Sequence, residues 1–64
     1  MTQSEAREAM VADWMARSPQ ERRTEHQAAV FTMKAMQRYP FSGDRDRYQL
    51  MMGWLKPHTA QWAG

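Results

Sequence analysis

Three prolines constrain this chain more than any other feature. Pro19, Pro40 and Pro57 divide its 64 residues into segments, none with room for a helix much beyond about twenty residues. Proline lacks the amide that a helix interior needs and pushes the preceding residue away from helical angles. In Ser18-Pro19-Gln20-Glu21 a serine N-cap is followed by proline at the first helical position, where the missing N–H costs nothing. Pro40 stops a helix near Tyr39, and Pro57 stops one near Lys56. Two further starts complete the pattern. Thr2-Gln3-Ser4-Glu5 fits a capping box, and Ser42 or Asp44, with Gly43 for a tight turn, can cap the last helix.

These signals predict an all-α three-helix bundle, with helices at about 3–17, 19–39 and 44–56 and a short tail from 57 to 64. A single domain over residues 1–64 is expected, because two independent cores do not fit in so short a chain. Composition agrees. There is no Ile, and only two Val and four Thr, while Ala, Met, Gln, Glu and Arg dominate.

The same composition excludes several classes. With no cysteine there is no disulfide scaffold, thiolate nucleophile or Cys-based zinc site. No run approaches the ~18 apolar residues of a membrane span. The first residues lack the basic segment and apolar block of a secretory leader, so a cytoplasmic location is expected. Catalysis is not expected. Ser4, Ser18 and Ser42 fall at helix caps, and His26 and His58 have no partners at metal-ligand spacing. Asp44-Arg45-Asp46 lacks the spacing and terminal Glu of a calcium loop. Neither cofactor, metal nor small-molecule substrate is expected.

Helical projection separates the faces. Ala6, Met10, Val11, Trp14 and Met15 form a broad apolar stripe interrupted by Arg7; Tyr48, Leu50, Met51, Trp54 and Leu55 form another that includes Arg47. Residues 20–27 are polar all round. Beyond them, Ala28, Phe31, Ala35 and Tyr39 share one face, with Ala29, Met33 and Met36 beside it. Arg7 and Arg47 are expected to lay their stems over apolar surface with the guanidinium in water; the alternative is a buried ion pair with an acid such as Asp13, or contact with an acidic partner.

Of the 27 hydrophobic residues nine are alanine, leaving eighteen sizeable apolar side chains, and seven of these are methionine and three tryptophan. That exceeds what one small core hides. The Ala29-Met33-Met36 stripe either fills gaps in the bundle or forms a homodimer or partner surface. A second candidate surface combines Arg45, Gln49, Met52 and Lys56 on the outer side of the third helix with Trp62 in the tail. Trp62 itself either folds back near Trp54 or Trp14 or anchors in a partner's pocket. Gly53 marks either a close backbone approach or a fraying helix end.

The expected function is a non-catalytic protein–protein interaction module: an adaptor, regulator or inhibitor whose partner is another protein or a second copy. The alternative is a helix-turn-helix-like DNA-binding regulator that reads with its third helix. Charge gives that alternative limited support. Residues 1–25 carry four Arg against five acids, whereas residues 26–64 carry five cations against Asp44 and Asp46. The net charge is only +2, and both aspartates stand at the end of the helix that would meet phosphate.

Overall fold

The structure is a computed structural model and describes residues 1–42 and 46–62. It is a three-helix bundle: α1 runs over Gln3–Met15, α2 over Glu25–Arg38 and α3 over Arg47–Leu55. Short 3₁₀ turns cover Pro19–Glu21 and Lys56–His58. Among the described residues there is no strand. No helix among them is long and apolar enough to cross a membrane.

α1 begins as the sequence predicts. Thr2 Oγ1 accepts from the Glu5 amide at 3.1 Å, and the Thr2 amide donates to Glu5 Oε1 at 2.8 Å. The threonine bond holds the Glu5 carboxyl below the usual carboxylate value. The helix ends at Met15 rather than near residue 17.

The second helix starts later than the expected residue 19. Pro19 starts only a 3₁₀ turn, in which the Ser18 hydroxyl donates to Glu21 Oε1 at 3.0 Å. The chain then extends, with Thr24 at φ −113° and ψ 158°, and α2 starts behind a second capping box. Thr24 Oγ1 accepts from the Gln27 amide at 3.1 Å, and Gln27 Oε1 accepts from the Thr24 and Arg23 amides. Residues 20–24 offer no apolar anchor, so a longer helix would have buried nothing there.

The tail secures this break. The Gln61 amide donates to the Arg23 carbonyl at 2.7 Å, and the Glu25 amide donates to the Gln61 carbonyl at 3.0 Å, making an isolated parallel bridge at Thr24–Gln61. Farther back, the Trp14 indole N–H donates to the His58 carbonyl at 3.1 Å. The tail is therefore strapped across the bundle as far as Trp62. The expected cap Asp44 and the turn residue Gly43 lie outside the described residues. Asp46 caps α3 instead of Ser42, accepting from the Tyr48 amide at 3.0 Å.

α3 packs against both other helices, and the core follows from that position. Ala6, Met10 and Trp14 from α1 meet Ala28, Phe31, Thr32 and Ala35 from α2 and Met51, Met52 and Leu55 from α3. Trp14 and Phe31 meet edge to face at 5.1 Å. Phe41, buried in the α2–α3 connection, lies between Trp54 and the Arg47 guanidinium, at 5.3 and 5.0 Å. Arg47 also donates from Nη2 to the Met36 carbonyl at 2.8 Å, placing its charge near the negative end of α2. The expected ion-pair partner is taken: Asp13 Oδ2 accepts from Arg38 at 2.9 Å and from the Tyr39 hydroxyl at 2.8 Å.

Candidate interaction surfaces

Burial sorts the methionines sharply. Met10, Met51 and Met52 are buried, Met36 is half-buried against the core, and Met1, Met15 and Met33 are exposed. Met33 is the most exposed of the large apolar side chains, at 64%. Val30, one helical turn before it, is 42% exposed. Successive α-helical residues turn by ~100°, so Ala29, Val30, Met33 and Met36 share the side of α2 away from Ala28, Phe31 and Ala35. The Ala29-Met33-Met36 stripe thus lies at the surface along one edge, with Ala29 and Met36 half-buried where it meets the core.

The second expected surface is not assembled as the helical projection suggested. Met52 is core, at 6% exposure, and its sulfur accepts the hydroxyl of fully buried Thr32 at 3.3 Å. The reason is geometric. A helix wedged against two neighbours buries a wider arc than a helix with one, and that arc takes in Met52 as well as Met51 and Leu55. Arg45 lies outside the described residues. Gln49 and Lys56 are exposed. Trp62 is half-buried and packs on the core, lining a depression with Thr24 and His26 at the start of α2, so the tail folds back on the bundle. The outward side of α3 presents little beyond Gln49 and the backbone of Gly53.

The sequence did not reveal one concave surface. A groove of about 580 Å³ opens between α1 and the α3–3₁₀ segment, with Val11, Ala12, Trp54 and Pro57 as its apolar lining and Gly53 in its wall. A β-carbon built on Gly53 would meet nothing within 4 Å. Glycine inside a helix costs roughly 0.5–1 kcal/mol relative to alanine. Steric room for a side chain is present, so neither close backbone approach nor packing requires glycine here.

A second depression, of about 500 Å³, adjoins the first by sharing Pro57 and His58, and it adds exposed Met15 with Arg22 and Arg23. Glu8, Val11, Ala12 and Met15 recur at three- and four-residue spacing, so the two depressions follow one face of α1.

Polar clusters are fewer. The Asp13–Arg38–Tyr39 group ties α1 to the end of α2. Burial, then the bond to Asp13, raises the Tyr39 hydroxyl above the usual tyrosine value, so it stays protonated near neutrality. Among the described residues no three His, Asp or Glu side chains are grouped to hold a metal. No family model, curated protein or solved structure matches the chain.

Proposed function

We propose that this chain is a non-catalytic protein–protein interaction module, and that α2 carries a contact through Met33 with Val30 and Ala29 beside it. The supporting observation is the division of the methionines. Three complete the core, yet Met33 stands out from a helix whose opposite face is fully packed. A flexible thioether side chain loses little by adapting to a second surface, and burying it on association returns apolar area to a dry environment. Met36 is the shared edge of core and stripe, so Met33 is the cleaner residue to test.

Sedimentation of the labelled chain in extract of its native cell tests the reading. The wild type is expected to sediment as a complex, and Met33→Glu as a free 7.6 kDa chain with unchanged helical circular dichroism. Identical sedimentation of the two chains would remove Met33 from any interface. Loss of helicity in the variant would make Met33 part of the fold.

A further inference from the structure

We infer that the groove along α1 binds an acidic, apolar peptide segment of a partner protein. The inference rests on the reading of the chain as an interaction module, but not on the α2 stripe. Its first support is Gly53. The fold gains nothing from a glycine at this helical position, since a side chain would enter open space. What the missing side chain does preserve is the opening between Val11, Ala12 and Trp54. A residue that weakens its own helix while keeping an apolar wall accessible belongs to what enters the groove.

Charge defines the occupant. The walls of the two adjoining depressions carry Arg7, Arg22 and Arg23, against one carboxylate, Glu8. Among the described residues neither Arg7 nor Arg23 has an ion-pair partner. Arg22 donates from its Nε to the Arg17 carbonyl at 2.9 Å, which fixes its stem beside the second depression. Apolar walls select an apolar side-chain row, and unpaired arginines at the margin select carboxylates and reject basic segments.

Length follows from α1. Arg7 to Met15 is eight residue steps, about 12 Å of helix, so two turns of a partner helix span the line. The peptide is thus an amphipathic acidic helix, docked in the manner of a helix in a groove.

A displayed library of random peptides of about twelve residues, selected on the wild-type chain with Gly53→Leu as counter-target, provides the probe. Selected peptides are expected to combine Asp or Glu with apolar residues at helical spacing. Their binding should weaken by about tenfold or more with Gly53→Leu and with Arg7→Glu/Arg23→Glu, and should fall as salt rises. Gly53→Leu should also melt a few degrees higher, because leucine is the better helix former. The charge-reversed variant alters only exposed positions and tests the groove independently of any change at Gly53.

Failure to select a peptide, selection of neutral or basic peptides, or undiminished binding to either variant would each overturn the inference. Met33→Glu is expected to leave peptide binding unchanged. If the groove fails while Met33→Glu still releases the complex in extract, the interaction module stands and only this inference falls.

Discussion

The stripe on α2 and the groove beside α1 both leave apolar atoms outside the core, but they are built differently. The stripe is convex and belongs to one helix. Met33 and Val30 stand clear of the packed face, so changing them leaves the bundle intact, while Ala29 and Met36 join the stripe to the core. The groove is concave and needs α1, α3 and the 3₁₀ turn after it to be held together. Besides the core shared by α1 and α3, the Trp14 indole bond to the His58 carbonyl ties down the 3₁₀ wall, and the Gln61 bridge fastens the tail that follows. A small fold can thus offer an adaptable surface at almost no cost to itself, whereas a shaped one requires its tail to be fastened.

The largest expected effect comes from making one chemical change at two methionines. Met52→Glu buries a carboxylate in the core beside the neutral Thr32 hydroxyl and should cost about 4 kcal/mol or more, enough to unfold a domain of this size. Met33→Glu should remain within roughly 0.5 kcal/mol of the wild type. Urea denaturation followed by circular dichroism measures both, and similar losses would erase the distinction between core and stripe.

Trp14→Phe sharpens the other side of the comparison. It removes the indole donor and part of the ring's volume at a fully buried position, so a loss of about 1–2 kcal/mol is expected. Amide exchange should accelerate in residues 56–61 more than in α2. Equal acceleration everywhere would mean that the tail is not held through this bond.

The smallest effect is a pH dependence. Tyr39 has a raised value in the folded chain, so its contribution is complete below the ordinary tyrosine value of 10.0 and is lost as pH rises through the folded value. Tyr39→Phe should therefore be less sensitive to alkali than the wild type between about pH 9 and 11. An unchanged alkaline decline in the variant would place its cause elsewhere.

Much of the architecture was legible in the chain because its strongest signals are local. Thr2 and Glu5 cap each other within four residues, and Pro40 ends α2 where a stop is expected. Thr24-Glu25-His26-Gln27 is also a capping box, and this local signal, not Pro19, starts α2. Polarity from residue 20 to 27 was the correct warning that this stretch had nothing to bury. The bridge from Arg23 and Glu25 to Gln61 left no trace in the sequence, since it is made by backbone groups nearly forty residues apart. Met52 was misplaced because a helical projection assumes one neighbour, whereas α3 has two. Gly53 did carry a signal, an unexplained glycine in a helix, but only the position of Trp54, Val11 and Pro57 around it gives that signal a meaning.

Site-specific photocrosslinking from position 33 in the native cell tests the central claim most directly. A photoreactive side chain replacing Met33 is expected to give one discrete protein adduct, while the same group at exposed Gln3 gives none. A bare, unlinked chain from position 33, or the same diffuse products from both positions, would contradict a contact on α2.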